Sequence, residues 1–232
     1  MNRRELGIGI GASLALPTLA QAQTLTTTRR DAQKPPAKYL IAVLHGYGSD
    51  GADMFTLVPS LEVYAPTAAF TVPNAPVRVD GGGYSWMSER ERGLPPHQAT
   101  EAAAKLNAFL DAELARLKLG PDKLILFGFS QGSNMSLNVG LRRATPPAAI
   151  IAFAGARLSP IGLRNDARKV PVLLAHGSLD DRLGPNDQAN AIHAMSTIGI
   201  TADAHIIPRL PHSINEQEIR LAGALLRKVT GA

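Results

Sequence analysis

The pentapeptide Gly128-Phe129-Ser130-Gln131-Gly132 constrains the fold more than any other segment. It directly follows the apolar run Leu124-Ile125-Leu126-Phe127. A G-x-S-x-G segment between a strand and a helix is typical of a nucleophile elbow, a strained turn that exposes a serine hydroxyl. The residues from Ser133 to Arg143 contain no proline and several apolar side chains, which predicts the helix. The alternative is an ordinary glycine-rich turn between a core strand and a core helix, because short motifs also occur by chance.

Candidate partners for Ser130 follow in the order that such an elbow requires, first an acid and then a histidine. The run Val170 to Ala175 predicts a buried strand, and the loop after it contains Asp180 and Asp181. The run Ala204 to Ile207 predicts another strand, and the loop after it contains His212. Open parallel sheets place their sites at the carboxyl ends of strands, where both loops are expected. His212 is therefore the candidate base, and either Asp180 or Asp181 is the candidate acid.

Acyl transfer also requires donors for the oxyanion that develops on the substrate. In an elbow, one donor is the backbone N–H of the residue after the nucleophile, here Gln131. The second donor comes from the loop after an early strand. The run Tyr39 to Leu44 predicts that strand, and the glycine-rich loop after it offers the backbone N–H of Tyr47. An ordinary strand-to-helix loop is the alternative interpretation of this segment.

The length of 232 residues is compatible with one domain, and an apolar content of 45% is enough for a sizeable core. Strand and helix patterns alternate along the chain, which predicts an α/β fold with a mostly parallel central sheet. No insertion is long enough for a large lid domain. The net charge of +5 includes no run of more than two Lys or Arg, so no nucleic-acid partner is expected. There is no cysteine and no clustered set of metal ligands, so no metal site is expected.

The N-terminus has the pattern of a signal peptide over residues 1–22. Arg3 and Arg4 are followed by a mostly apolar stretch and by Ala20-Gln21-Ala22, an A-x-A cleavage site. The arginine pair is compatible with the twin-arginine export route. We expect a periplasmic or secreted protein without stable membrane insertion after cleavage. Residues 23–38 predict a flexible leader and residues 39–232 the folded domain. The sequence does not indicate an oligomeric state.

Four motifs together resemble the phospholipase/carboxylesterase family of small α/β-hydrolases, which includes acyl-protein thioesterases. They are L-H-G-Y-G-S-D-G at 44–51, G-F-S-Q-G at 128–132, H-G-S-L-D at 176–180 and P-H-S at 211–213. The resemblance implies an α/β-hydrolase fold with helices on both faces of the sheet. It implies Ser130 as the nucleophile, His212 as the base and Asp180 as the acid, because Asp180 fills the last position of H-G-x-x-D. It also implies oxyanion donors at Tyr47 and Gln131, and an acyl pocket lined by Trp86.

A carboxylesterase that hydrolyses small acyl esters through an acyl-enzyme on Ser130, without a cofactor, is the function that these residues favour. A thioesterase or a lysophospholipase would use the same residues, as would a peptidase on the same fold. An exported binding protein that kept the scaffold without catalysis is the alternative from a different class.

We expect the exported protein to lose residues 1–22, because the charged, apolar and A-x-A regions follow one another in the order that signal peptidases recognise. Mass spectrometry of the protein from the periplasm or medium of its native host should find an N-terminus near Gln23. Full-length protein retained in the cytoplasm would contradict the prediction.

Overall fold

A seven-stranded sheet forms the centre of the computed structural model, which describes residues 25–88, 90, 91, 94, 98–182 and 186–232. Its strands have the order β1-β3-β2-β6-β7-β8-β9. They are β1 (Thr27–Arg30), β2 (Tyr39–Leu44), β3 (Ala68–Pro73), β6 (Leu124–Phe129), β7 (Ala149–Phe153), β8 (Val172–Gly177) and β9 (Asp203–Ile207). β1 pairs antiparallel with β3, and every other neighbouring pair is parallel. Two short strands, β4 (Val77–Arg78) and β5 (Tyr84–Ser85), form a separate antiparallel pair.

Helices cover both faces of the sheet, as predicted. They are α1 (Gly51–Phe55), α2 (Val58–Glu62), α3 (Thr100–Arg116), α4 (Gln131–Gly140), α5 (Asp187–Ser196) and α6 (Glu216–Thr230). Side chains alternate between the two faces along each strand. In β2, Leu40 and Leu44 pack in the cluster that contains buried residues of α3, α4 and α5, whereas Ile41 and Val43 pack with α1, α2 and α6. The described residues include no large lid, and none of their helices is long and apolar enough to cross a membrane.

The prediction of a flexible leader over residues 23–38 is wrong for residues 27–30, which form the edge strand β1. The Arg29 guanidinium donates to both carboxylate oxygens of Glu113 on α3, at 2.9 and 2.6 Å. Burial by itself would raise the pKa of Glu113, but hydrogen bonds and charges from Arg29 and Arg116 outweigh it and lower that pKa. The strand's partners lie about forty and eighty residues away, so its polar local sequence does not reveal them. The predicted signal peptide lies outside the described residues.

A capping box begins α6, the helix that follows the loop containing His212. The Asn215 side chain accepts the N–H of Glu218, and Oε2 of Glu218 accepts the N–H of Asn215, both at 3.1 Å. Glu218 is fully buried, and its Oε1 has no hydrogen-bond partner among the described residues. Burial, with a smaller contribution from the charge of Asp180, raises the pKa of Glu218 to about 7, although the bond from Asn215 opposes the shift.

Replacing Glu218 by Gln should remove part of the pH dependence of stability. The folded state binds the Glu218 proton more tightly than the unfolded chain, whose carboxyl has its ordinary pKa of 4.5. The stability linked to this proton is therefore fully present below pH 4.5 and is lost as the pH rises through about 7. The wild-type protein should lose on the order of 3 kcal/mol of unfolding free energy over this window, and Glu218→Gln should not.

Urea unfolding at pH 5 and pH 8 measures this difference. Glu216→Gln is the matched control, because Glu216 lies on the same first turn of α6 with a side chain that is 94% exposed. If Glu218→Gln and Glu216→Gln showed the same pH dependence, the buried carboxyl would not be the linked group.

Candidate active site

Ser130 lies on the turn between β6 and α4 with φ 55° and ψ −117°, a conformation that L-residues adopt only under constraint. The turn is held on both sides, since the N–H of Ser130 donates to Phe153 O at 2.9 Å and its carbonyl accepts from Asn134 N at 3.1 Å. The neighbouring backbone leaves no space for side chains. A Cβ on Gly128 would lie 2.3 Å from Gly132 O, and one on Gly132 would lie 2.1 Å from Leu44 O. The structure therefore has the strained elbow that the pentapeptide predicts.

Three side chains from three strand ends form one hydrogen-bonded chain. Nε2 of His212 is 2.9 Å from Oγ of Ser130, and Nδ1 of His212 is 2.8 Å from Oδ2 of Asp180. The Asp180 side chain is completely buried, and its Oδ1 accepts the N–H of Arg182 at 2.8 Å. A carboxylate can only accept, so Nδ1 of His212 carries the proton and Nε2 is left as an acceptor for the serine hydroxyl. The Phe129 ring packs against the imidazole with centroids 5.0 Å apart.

The two adjacent aspartates have different environments, and the family resemblance implies Asp180 rather than Asp181 as the acid. Asp180 reaches His212, whereas Asp181 is exposed. Both lie in the loop after β8, and His212 lies in the loop after β9. β8 and β9 are neighbouring parallel strands, so their carboxyl ends bring these loops together.

The backbones of Tyr47 and Gln131 lie in segments that meet beside Ser130. Gln131 is the first residue of α4, and an N–H in the first turn of a helix has no acceptor within that helix. Tyr47 follows β2, the strand that pairs with β6, and an added Cβ on the preceding Gly46 would lie 3.2 Å from Cβ of Ser130. Tyr47 as a whole is 48% exposed. The loop after β2 thus runs directly past the serine, where the sequence predicts an oxyanion donor.

The prediction that Trp86 lines the acyl pocket is wrong. Only 1% of its surface is accessible to solvent, and it packs in the hydrophobic core. Its indole N–H donates to His45 O at 2.8 Å, and its backbone N–H donates to Oε1 of Gln131 at 2.9 Å. The Gln131 carboxamide in turn donates through Nε2 to Oγ of Ser85 at 3.1 Å. Trp86 is therefore a core residue whose indole N–H binds the backbone of the loop after β2. A buried indole N–H needs an acceptor, and His45 O supplies it.

Sequence reasoning missed the side-chain roles of Gln131, Ser85 and Glu218. The pattern Asn215-x-x-Glu218 is a capping-box signal that could have identified the buried glutamate. The Gln131 and Ser85 contacts carry no local signal, because the two residues are 46 positions apart. Among the described residues there is no group of three or more His, Cys, Asp or Glu that could hold a metal ion.

Chemically, His212 in the hydrogen-bonded chain can accept the proton of Ser130, and the backbone N–H groups of Tyr47 and Gln131 lie in segments beside the serine, where an oxyanion would form.

Residues 29–230 match the family model described as Phospholipase/Carboxylesterase. The chain is 29% identical to acyl-protein thioesterase 1 of Mycosarcoma maydis, over 90% of this chain and 98% of that protein. It is 28% identical to a probable carboxylesterase, SOBER1-like, of Arabidopsis thaliana, over 83% and 79%. The crystal structure of esterase PE8 is similar with a TM-score of 0.79 and 37% identity, over 89% of this chain and 99% of that one. The chain belongs to the phospholipase/carboxylesterase family of α/β-hydrolases.

Proposed function

We propose that this protein is a serine carboxylesterase that hydrolyses small acyl esters through an acyl-enzyme on Ser130. The observation that carries the proposal is the hydrogen-bonded chain of Ser130, His212 and Asp180, with contacts of 2.9 and 2.8 Å. A serine hydroxyl is a weak nucleophile unless a base accepts its proton, and this chain supplies an oriented base. Family membership supports esterase chemistry in general.

In the proposed reaction, Nε2 of His212 takes the Ser130 proton while Oγ bonds to the carbonyl carbon of the ester. The carbonyl π electrons move to oxygen, and the N–H groups of Tyr47 and Gln131 donate to that oxyanion. When the oxyanion collapses, the C–O bond to the alcohol breaks and the alcohol takes the proton from His212. Water then repeats the sequence on the acyl-enzyme, which releases the acid and Ser130. Asp180 stays ionised and stabilises the imidazolium at both stages.

Exposed apolar side chains beside the site support an acyl group as the substrate's reacting part. Tyr47 is 48% exposed in the loop after β2, and Leu179 is 61% exposed immediately before Asp180. Covering such side chains with an apolar chain would stabilise a complex by about 25 cal/mol per Å². Both loops lie at the carboxyl edge of the sheet, on opposite sides of Ser130 in the strand order.

Thioester hydrolysis is the second candidate, because relatives named acyl-protein thioesterase 1 match most of this chain. The same residues would act, and a thiolate would replace the alkoxide as leaving group. Comparing kcat/KM for an oxygen ester and a thioester of the same acyl chain decides between the two.

A fluorophosphonate should label the protein once, on Ser130. The reagent reacts with a serine whose proton is removed by a base, so His212→Ala should suppress labelling strongly. Mass spectrometry of tryptic peptides locates the adduct. His205→Ala is the control, since His205 lies on β9, in the element before the loop of His212, and is not hydrogen-bonded to Ser130. Labelling of another serine, or none in folded protein, would favour the non-catalytic binding protein.

Asp180→Asn should lower kcat for short esters by up to about 10⁴-fold, because an amide favours the wrong tautomer of the imidazole. Asp181→Asn should lower it less than about tenfold, because that side chain is exposed. The two variants carry the same chemical change at adjacent positions, so each is the other's control. Steady-state kinetics with p-nitrophenyl esters measures both. Similar effects at the two positions would require another group to orient His212.

A further inference from the structure

We propose that the side chain of Gln131 is a positioning residue that sets the spacing between the two oxyanion donors. The inference rests on the proposed function, because it assigns a role within the same reaction. The backbone N–H of Gln131 is one proposed donor, and its carboxamide binds the segment that braces the other. Three sets of contacts connect α4 to the loop after β2 and hold that loop in place.

The first contact joins α4 to the segment at 85–87. Gln131 uses both ends of its carboxamide, since Oε1 accepts the N–H of Trp86 at 2.9 Å and Nε2 donates to Oγ of Ser85 at 3.1 Å. Ser85 is itself buried and donates to Met87 O at 2.7 Å. Two hydrogen bonds with opposite polarity fix the orientation of the carboxamide, and thereby limit rotation of the Gln131 side chain.

The second contact joins this segment to the loop after β2. The Trp86 indole N–H donates to His45 O at 2.8 Å, two residues before the Tyr47 donor. Beyond Tyr47, Gly48 N donates to Tyr84 O at 2.9 Å and Tyr84 N donates to Ser49 O at 2.8 Å. The residues on both sides of Tyr47 are therefore hydrogen-bonded to the segment 84–86, which Gln131 holds.

The third contact holds the loop from its other side. The buried His45 accepts the N–H of Ala75 at Nε2, at 2.9 Å, so its proton lies on Nδ1, which is 2.6 Å from Gly46 O. Tyr47 thus lies on a loop whose flanks are fixed by hydrogen bonds, and the Gln131 carboxamide joins these bonds to the residue that follows Ser130. The backbone contact of α4 with the end of β2 sets the approach of the two segments, and the Gln131 side chain fixes the position of the Tyr47 loop relative to α4.

Loss of this link should weaken binding of the oxyanion more than binding of the ester. Gln131→Met keeps the length of the side chain and removes both polar ends. We expect kcat to fall by about tenfold to a hundredfold, somewhat less than the loss of a whole oxyanion donor, with KM within about threefold of wild type. The affinity for a trifluoromethyl ketone, which forms a tetrahedral adduct on the serine, should fall by the same factor as kcat/KM.

Ser85→Ala provides a second variant that preserves the Gln131 side chain and removes its Nε2 acceptor. It should lower kcat and ketone affinity in the same direction, by less than Gln131→Met. The double variant should lose less than the product of the two single effects, because both substitutions break the same link. If Gln131→Met did not fold, as judged by circular dichroism, Ser85→Ala would decide the question.

Asn138→Leu is the matched control. Asn138 is a buried carboxamide on the same helix, and it bonds Asn134 O, Arg157 O and the Arg142 guanidinium. Its loss should lower the melting temperature but leave kcat and ketone affinity within about twofold of wild type. An equal loss of ketone affinity in Asn138→Leu and Gln131→Met would overturn the inference, as would full activity of Gln131→Met. A wild-type protein that turned over no ester would instead disprove the proposed function and leave nothing for Gln131 to position.

Discussion

The contact between Gly132 and the end of β2 is the constraint on which the rest of the site depends. A Cβ at this position would lie 2.1 Å from Leu44 O and 2.6 Å from His45 O, so only glycine allows the first turn of α4 to lie so close to β2. Because of this close approach, the loop after β2 lies beside Ser130 and next to the N-terminus of α4. Because the contact joins backbone to backbone, no side chain between the two segments can rearrange, and the separation between α4 and the end of β2 is well defined.

The buried polar groups around this contact are neutral. Burial lowers the pKa of His45, and its two nitrogens match one acceptor and one donor role. A second proton on His45 would face the Ala75 N–H, so the neutral ring is the form that the hydrogen bonds require. Trp86 and Gln131 carry no charge at any pH. The segments that bear the proposed oxyanion donors are therefore braced by hydrogen bonds between neutral groups.

The Asp180 carboxylate lies on the Nδ1 side of the His212 imidazole. The completely buried Asp180 side chain is stabilised by the His212 ring and by the N–H of Arg182. Glu218 is a second buried acid near it, and burial together with the charge of Asp180 raises the pKa of Glu218 to about 7. A protonated Glu218 avoids placing two buried carboxylates together, which would otherwise destabilise both. The helix cap at α6 and the acid beside His212 thus share one electrostatic environment.

The sequence by itself determined the alternation of strands and helices, the elbow at Ser130 and the loops that carry His212 and the two aspartates. These features have local signals, namely apolar runs, glycines and chain order. The local pattern left Asp180 and Asp181 open and the family resemblance implied Asp180, but only the tertiary structure showed the contact of Asp180 with His212 and the place of β1 in the sheet. It also placed Trp86 in the core and made Gln131 the link between two segments. These outcomes depend on contacts between residues tens of positions apart, whose direction and burial no local pattern encodes.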